Sequence, residues 1–267
     1  MKLLTIEEVQ EMQLNLMKEL HAFFVDNNIR YYLIGGSALG AVRHNGFIPW
    51  DDDIDIGLFR EDYENFLAIS DSFSDKYDIV NYKKANNCDF GLTRVYFRNT
   101  LIDVKSIEKT KLDKRLYLDI FPLDNVPEDA TVRASFEHQV VKMKRIIDLI
   151  DVRVYRSSFV QLTAKKVISF LLTPFRSVIL RKYDELITRY CGLQTDMICS
   201  ICSQYSFAKQ AMPKVFYGEP MLHTFVDSEF YIPEQVDNYL AHLYGDDFMQ
   251  IPPENKRRKG HDIYLLQ

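Results

Sequence analysis

The chain has 267 residues and a formal net charge of −5; 47% of its residues are apolar and 27% are charged. This length and balance are typical of a globular protein with a sizeable buried core. The acidic net charge gives no reason to expect a nucleic-acid partner, because such proteins usually carry a strongly basic face. The sequence shows neither a signal-peptide pattern nor a run of about 18 apolar residues, so we expect a cytoplasmic protein without a spanning helix.

The four cysteines, Cys88, Cys191, Cys199 and Cys202, are too few and too scattered for a disulfide scaffold. Cys199-x-x-Cys202 has the spacing of a metal or redox pair, but no second pair of ligands accompanies it. Buried free thiols are a common alternative. The cysteines therefore predict a soluble protein of a reducing compartment.

The N-terminal segment predicts a helix that packs on a sheet. Thr5 and Glu8 have the spacing of a capping box, and apolar residues then recur at helical spacing as far as Phe23. Asn27-Asn28 is typical of a left-handed helix end. We expect this helix to contribute to the core and not to the chemistry.

The next stretch predicts a buried strand, a glycine turn and a short helix. The strand is predicted over Ile29–Ile34, where Tyr31-Tyr32-Leu33-Ile34 is an apolar run. Gly35 and Gly36 lack a Cβ, so the backbone there can turn sharply and approach a ligand closely. We place Ser37 near the N-cap of the helix, whose first N–H groups would then face the turn. The sequence therefore predicts a phosphate-binding site at Gly36 and Ser37.

Residues 51 to 58 alternate carboxylates with isoleucines, and alternation at period 2 indicates a half-buried strand. Asp53 and Asp55 are expected to share one face, while Ile54 and Ile56 anchor the other. Two neighbouring carboxylates repel each other unless a cation lies between them. Oxygen ligands of this kind suit Mg²⁺ or Mn²⁺.

Three other interpretations fit this acidic stretch less well. A solvated acidic face would not be interleaved with isoleucines. A calcium-binding EF-hand loop that begins at Asp51 would require Gly and Glu where Ile56 and Asp62 stand. A dinucleotide-binding fingerprint would require Gly in place of Ser37.

Strand-like segments follow at 77–82, 92–97 and 100–104, and the last two are predicted to pair as a hairpin through the two residues between them. Arg94, in the middle segment, is a candidate contact for a phosphate group. The alternative is a solvated arginine on a strand surface.

The segment RLYLDIF, residues 115–121, repeats the alternation. Asp119 shares its face with Tyr117 and Phe121, which is a costly place for an unpaired carboxylate. A bound metal ion would explain Asp119, and hydrogen bonds to nearby backbone are the alternative.

From residue 126 the chain becomes mostly helical. Helices are predicted over 131–154, 159–173, 174–191 and 233–244. The segment from Phe159 to Tyr190 is the most apolar part of the chain; it is interrupted at Pro174 and flanked by Lys and Arg. It is too short and too broken to span a bilayer. Peripheral contact with a membrane is one interpretation, and packing on the protein's own core or a dimer contact is the other.

The C-terminal tail gathers basic residues after Pro252-Pro253, among them Arg257 and His261. Such a tail is usually solvated, but in an acidic protein it is also suited to bind a polyanionic ligand. Arg257 and His261 are therefore candidate contacts for a substrate phosphate.

The string GGSALGAVRHNGFIPWDDDIDI, residues 35–56, closely resembles the LicD family of phosphocholine transferases, to which the fukutin-related proteins are also similar. Its order of glycine turn, short helix and Asp-x-Asp strand also resembles the nucleotidyltransferase fold of the polymerase-β type. The resemblance implies an α/β (α+β) fold. Residues 1–125 would form the catalytic core, with a mixed sheet and helices, and 126–267 a mostly helical region whose basic tail returns to the site.

The resemblance also implies roles for individual residues. Asp53 and Asp55 would hold Mg²⁺ or Mn²⁺ against a donor diphosphate, and Asp119 would be a third carboxylate that binds the metal or accepts a proton. Arg43 and His44, inside the long string, would bind substrate.

The activity implied by the resemblance is Mg-dependent transfer of phosphocholine from CDP-choline to a sugar hydroxyl. The acceptor would be a teichoic-acid precursor, a lipopolysaccharide or another surface glycan. Because such acceptors are built on lipid carriers, the resemblance favours peripheral contact of a cytoplasmic protein with the inner face of the plasma membrane through residues 159–190, and core packing or a dimer contact of these helices stays the alternative. The alternatives are transfer of a nucleotidyl group or of another alditol phosphate by the same fold, and a non-catalytic binding module.

Overall fold

The computed structural model describes residues 1–81, 91–103, 113–150, 159–257 and 260–266. The helices are α1 Ile6–Asp26, α2 Gly35–His44, α3 Arg60–Ile69, α4 Ala130–Ile150, α5 Phe159–Leu172, α6 Arg176–Ile187, α7 Phe207–Gln210 and α8 Val236–Tyr244. The strands are β1 Lys2–Leu3, β2 Tyr32–Leu33, β3 Asp55–Phe59, β4 Tyr77–Asn81, β5 Thr93–Phe97, β6 Thr100–Asp103, β7 Tyr117–Asn125, β8 Met197–Cys199, β9 Met212–Pro213, β10 Met221–Phe225, β11 Ser228–Ile232 and β12 Asp262–Leu265.

The central sheet is mixed, with the strand order β2-β3-β7-β5-β4. Strands β3 and β7 run parallel, whereas β2 and β5 are antiparallel to their neighbours. Asp55 on β3 is directly opposite Asp119 on β7, and Asp119 is directly opposite Arg94 on β5. The sheet therefore places three charged residues in one row, and the predicted mixed α/β architecture is confirmed.

The alternation of isoleucines and carboxylates has its expected structural effect. Ile54 and Ile56 are fully buried, as is Ile120 on the neighbouring strand, because these side chains point into the core between the sheet and its helices. The capping box at Thr5 and Glu8 is also confirmed, and it starts helix α1. Regular β structure begins only at Asp55, so the predicted strand at residues 51–58 starts later than expected.

The predicted hairpin between 92–97 and 100–104 is wrong. Strand β6 pairs with β12, and β12 pairs in turn with β1, in a separate small sheet. The reason is that β4 and β7 already occupy both edges of β5. A strand with two partners cannot accept a third, so the chain carries β6 away to meet the C-terminal strand.

Buried apolar side chains form two clusters. One lies around the central sheet and includes residues far along the chain, such as Phe225, Leu240 and Ile263. The other lies between α4, α6 and β8, around Phe136 and Tyr183. The division into 1–125 and 126–267 stays a prediction, and parts of the second region share the core of the first.

Among the described residues, no helix is long enough and apolar enough to cross a membrane. The predicted helix over 131–154 is present as α4 to Ile150, and its last residues lie outside the described ranges. The break at Pro174 is a short 3-10 turn, Thr173–Phe175, between α5 and α6.

Candidate active site

The charged row at the start of β3 and β7 is the centre of the candidate site. Arg94 donates from Nε to Oδ1 of Asp119 at 2.7 Å, and its guanidinium lies 3.8 Å from the ring centroid of Tyr117. The side chains of Arg94 and Asp119 are only 10% and 13% exposed. Arg94 is therefore not a solvated strand residue, and Asp119 has an arginine partner rather than backbone alone. Contact of Arg94 with a phosphate stays a prediction.

The electrostatics around Asp55 favour the binding of a cation. Burial raises the pKa of Asp55 well above its usual value, and the nearby carboxylates of Asp53, Asp119 and Asp51 raise it further. The opposing effect of Arg94 is smaller than these. Asp55 is half-buried, and a carboxylate among like charges is stabilised in its ionised form when a cation is bound beside it.

The loop before β3 adds the remaining carboxylates. Asp51, Asp52 and Asp53 each offer one oxygen within 4.8 Å of the others. Asp52 accepts a hydrogen bond from the backbone N–H of His261 at 2.7 Å and lies 3.1 Å from its Nδ1, so it anchors the tail. The charges of the other two residues of this loop, Asp51 and Asp53, raise the pKa of Asp55.

The glycine turn lies against these carboxylates. A Cβ at Gly36 would lie 2.9 Å from Oδ2 of Asp51, so only glycine fits there without displacing the acid. Gly35 has a φ of +54° and donates its N–H to the hydroxyl of Tyr239 at 2.8 Å. The expected proximity of glycine turn and acidic residues is present, and phosphate binding by this turn stays a prediction.

The expected N-cap role of Ser37 is wrong. Helix α2 begins at Gly35, its N-cap is Ile34, and no side chain caps it. Ser37 is the third helical residue; it is buried, and its Oγ accepts the backbone N–H of Asp55 at 2.8 Å. Ser37 therefore ties the start of α2 to the start of β3, and substrate binding by its hydroxyl stays a prediction.

Tyr239, Tyr244 and Lys209 also lie at this site, and the sequence did not predict them. The Oη of Tyr244 and the Oδ2 of Asp55 each lie 3.8 Å from the position that a Cβ of Gly35 would take. The Nζ of Lys209 lies 5.4 Å from the ring centroid of Tyr244 and 4.1 Å from that of Tyr205. Tyr244 lies in a Tyr-Gly-Asp string that could have marked it, but Lys209 has no distinguishing sequence context.

The remaining predicted site residues lie along the returning tail. Arg43 donates from Nη1 to the carbonyl oxygens of Phe248 at 2.9 Å and Gln250 at 3.2 Å, and from Nε to Nε2 of His44 at 3.0 Å. Burial, followed by the charge of Arg43, lowers the pKa of His44, so this imidazole is neutral at pH 7. Arg43 thus holds the tail in place, and the proposed substrate contacts of both residues stay predictions.

Arg257 lies over the ring of Trp50, with its Cζ 4.5 Å from the ring centroid, and donates from Nε to the carbonyl oxygen of Pro252 at 3.0 Å. Trp50 directly precedes Asp51, and His261 binds Asp52. The tail therefore contacts the acidic loop at two points. This places Arg257 and His261 beside the loop, and their contact with substrate phosphate stays a prediction.

The donor set fits a hard divalent cation. Asp51, Asp52 and Asp53 bring carboxylate oxygens within 4.8 Å of one another, and the charges of Asp53, Asp119 and Asp51 act on Asp55. Carboxylate oxygens are the ligands that Mg²⁺ or Mn²⁺ selects, and a metal site formed by Asp53, Asp55 and Asp119 stays a prediction. The Cys199-x-x-Cys202 pair does not offer a second metal centre. Both thiols are free and buried, and burial raises the pKa of Cys202 to about 11, so it stays protonated at neutral pH. Cys88 lies outside the described residues.

Comparison with known proteins places this site inside a recognised family domain. A family model described as the LicD/FKTN/FKRP nucleotidyltransferase domain matches residues 28–153, which include the glycine turn and all of the carboxylates above. The family resemblance found in the sequence is thereby confirmed.

Individual relatives extend the similarity along the chain. The lipopolysaccharide cholinephosphotransferase LicD of Haemophilus influenzae is 28% identical over an alignment of 275 positions, which covers 100% of both chains. An uncharacterized protein of Rickettsia prowazekii is 34% identical over 130 residues, 49% of this chain and 44% of that protein. The ribitol 5-phosphate transferase FKRP of Homo sapiens is 57% identical over 37 residues, 14% of this chain and 8% of that protein.

Proposed function

Because residues 28–153 of this chain match the LicD/FKTN/FKRP nucleotidyltransferase domain, we propose that the protein transfers a phosphoryl alcohol from a nucleotide-linked donor to a hydroxyl of a glycan. The preferred donor is CDP-choline, and the group transferred is phosphocholine. The acceptor is a sugar of a surface glycan, such as a lipopolysaccharide or a lipid-linked teichoic-acid precursor. The end-to-end similarity to a lipopolysaccharide cholinephosphotransferase supports this choice of group.

The observation that carries the proposal is the position of Asp55 directly opposite Asp119 on two parallel strands. Two carboxylates fixed in this way, with Asp53 and Asp51 acting on the same point, are suited to bind a cation and a polyphosphate together. A rigid sheet holds them in place without help from the ligand. Such positioning and charge neutralisation are the main sources of rate in phosphoryl transfer.

Asp53, Asp55 and Asp119 are the residues that would hold Mg²⁺ or Mn²⁺. When bound, the ion would neutralise charge on the donor diphosphate. Arg94 keeps Asp119 oriented through its 2.7 Å ion pair, and Ser37 keeps Asp55 in place by accepting its backbone N–H.

The start of helix α2 would bind donor phosphate. Its first turn is formed by Gly35 and Gly36, whose small size lets a ligand approach the backbone, and a helix N-terminus favours anions. The hydroxyl of Tyr244 lies beside Gly35 with Lys209 next to its ring, and both would contribute to a polar wall around the phosphates. Arg257 and His261 would close the site from the tail.

A second candidate group is ribitol phosphate. The segment of 37 residues that is 57% identical to a ribitol 5-phosphate transferase supports it. Transfer of the nucleotidyl group is the third outcome of the same chemistry, since a donor diphosphate can be attacked at either phosphorus.

One experiment separates these outcomes. The protein is incubated with MgCl₂, a sugar acceptor and either CDP-choline or CDP-ribitol, each labelled in both the cytidine and the alcohol, and the position of each label is followed. We expect the choline label on the acceptor and the cytidine label in free CMP, and no turnover by the Asp55→Asn variant. Cytidine on the acceptor would instead show nucleotidyl transfer, and turnover with CDP-ribitol alone would show the second candidate. No reaction with any CDP-alcohol would contradict the proposed function.

A further inference from the structure

Helices α5 and α6, joined by the turn at Thr173–Phe175, present large apolar side chains to solvent. Phe170 is 79% exposed, Leu171 is 61% exposed and Phe175 is 60% exposed. The remaining apolar residues of this surface, each more than a third exposed, are Val167, Ile168 and Val178. We call the surface formed by these six residues the α5–α6 apolar surface. Large apolar side chains exposed along two consecutive helices are typical of an interaction site.

In the part of α5 whose side chains are described, residues 163–172, the large apolar side chains point outward. Ser169 is the buried residue of this part, and its hydroxyl donates to the carbonyl oxygen of Ile150 at the end of α4. At about 100° per residue, Val167 and Leu171 lie on the opposite side of the helix from Ser169. The small polar residue therefore faces the protein, and the apolar stripe faces solvent.

The side of α6 that faces α4 is buried, in contrast to the exposed α5–α6 apolar surface. Tyr183 and Ile187 are fully buried in the cluster with α4, and Leu186 lies beside them. Phe170 and Phe175 belong to neither core cluster. Core packing of the helix pair is therefore confirmed for the inner side of α6, while the α5–α6 apolar surface stays exposed to solvent.

The charge of this segment is opposite to that of the chain. Between residues 159 and 183 there is no Asp or Glu, whereas the chain as a whole carries a net charge of −5. The cations of the segment are Lys165, Lys166, Arg176, Arg181 and Lys182. Lys166 and Lys182 are exposed, and the side chain of Arg181 is 71% exposed and lies 3.9 Å from Glu185. The apolar surface is therefore bordered by accessible positive charge.

We propose that the α5–α6 apolar surface docks on an anionic lipid bilayer, with its apolar side chains in the interface and its cations among the headgroups. This combination of an apolar stripe, flanking Lys and Arg and a length too short to span is typical of interfacial helices. The negative headgroups of a cytoplasmic leaflet attract the flanking cations.

Charge also decides between a bilayer and a second copy of this chain. Two copies joined through this surface would bring like-charged rims together, and none of the segment's residues from 159 to 183 supplies the acids that such a contact needs. An anionic membrane complements both the apolar centre and the cationic rim.

The test uses the full chain and vesicles of phosphatidylcholine with or without phosphatidylglycerol, pelleted at low salt. We expect wild-type protein to pellet with the anionic vesicles and to be released at high salt. The pair Phe170→Ser and Leu171→Ser should weaken binding at least about tenfold, because the anchoring side chains are lost. The pair Lys166→Glu and Lys182→Glu should weaken it by a similar factor and remove the preference for anionic lipid.

Met221→Ser with Leu222→Ser is the matched control, since these residues are about half exposed on β10, outside the α5–α6 apolar surface. This control should bind like wild type, and circular dichroism should show all variants folded. Wild-type protein that stays in the supernatant would overturn the proposal. So would equal binding by the Phe170/Leu171 variant, or a wild-type dimer that this variant dissociates without any vesicle binding. Each readout is independent of transferase activity.

Discussion

Asp55 and Asp119 face each other across two strands, yet their environments differ. Asp55 is surrounded mainly by other carboxylates, whereas Asp119 is paired with Arg94. The same substitution should therefore have opposite effects on stability at the two positions, although both should abolish turnover. This contrast separates a role in binding a cation from a role in holding the fold.

For Asp55→Asn we expect a higher melting temperature than wild type in the absence of divalent cations. The folded-state pKa of Asp55 is raised above its ordinary value, so its ionised form destabilises the fold at every pH above that ordinary value. Removing the charge removes this cost, and each kcal/mol recovered corresponds to about 2–4 °C. Calorimetry at pH 7 with chelator measures the change. A lower melting temperature would show that the surrounding charges are already compensated.

For Asp119→Asn we expect a lower melting temperature. The change leaves the guanidinium of Arg94, whose side chain is 10% exposed, without its carboxylate partner. Breaking a buried ion pair in this way costs on the order of 3 kcal/mol. The same calorimetry tests it, and Arg94→Met with Asp119→Asn should be less destabilised than Asp119→Asn alone. An unchanged melting temperature would show that the pair does not contribute to stability.

Lys209 provides a further test at the level of single residues. Its ammonium group lies over the ring of Tyr244, whose hydroxyl lies beside Gly35. If this cation contacts donor phosphate, Lys209→Met should raise the KM for the CDP-alcohol about tenfold, since a hydrogen bond to a charged group contributes about 1.5–3 kcal/mol. Lys214→Met is the control, because Lys214 lies over Phe59 at the far end of β3. Equal KM values for the two variants would remove Lys209 from the site.

At the scale of elements, the returning tail is tied to the acidic loop by its own contacts. Arg43 holds the backbone at Phe248 and Gln250, Asp52 holds His261, and β12 pairs with both β1 and β6. Hydrogen bonds that do not involve substrate therefore connect the tail to the acidic loop, so we expect a loss of structure in one to disturb the other.

Trp50 is the only tryptophan in the chain, so its fluorescence reports on this coupling. Asp52→Ala removes the acceptor for the N–H of His261, and we expect the tail to detach and Arg257 to leave the ring of Trp50. The emission spectrum should then match that of Arg257→Met, in which the cation is removed directly. A wild-type spectrum for Asp52→Ala, with an altered one for Arg257→Met, would show that Asp52 does not hold the tail.

Local patterns in the sequence predicted the elements well but not all of their partners. The isoleucine alternation located Asp55 on a strand, and Thr5 with Glu8 located the start of α1, because both signals depend on neighbours in sequence. The hairpin at 92–104 was wrong because strand pairing depends on which edges are already occupied. The N-cap at Ser37 was wrong because the backbone N–H of Asp55, distant in sequence, takes its hydroxyl.

At the scale of the whole molecule, the site combines residues from widely separated parts of the chain. Asp55 and Asp119 share a strand pair, while Lys209, Tyr239 and Tyr244 arrive from the C-terminal half. The carboxylates could be predicted because a charged residue in an apolar alternation is conspicuous. Lys209 could not, because a lysine in a short helix is ordinary until tertiary packing brings it to the site.

The measurement that most directly tests the carboxylate site is the binding of Mn²⁺ to the full chain, followed by electron paramagnetic resonance. We predict saturable binding by wild type, competition by Mg²⁺ and a loss of about tenfold or more in affinity for Asp55→Asn. Glu11→Gln, an exposed change on α1 that removes the same charge, should bind like wild type. Equal affinity of the Asp55→Asn and Glu11→Gln variants, or no saturable binding by wild type, would contradict the assignment of these carboxylates as the metal site of a transferase.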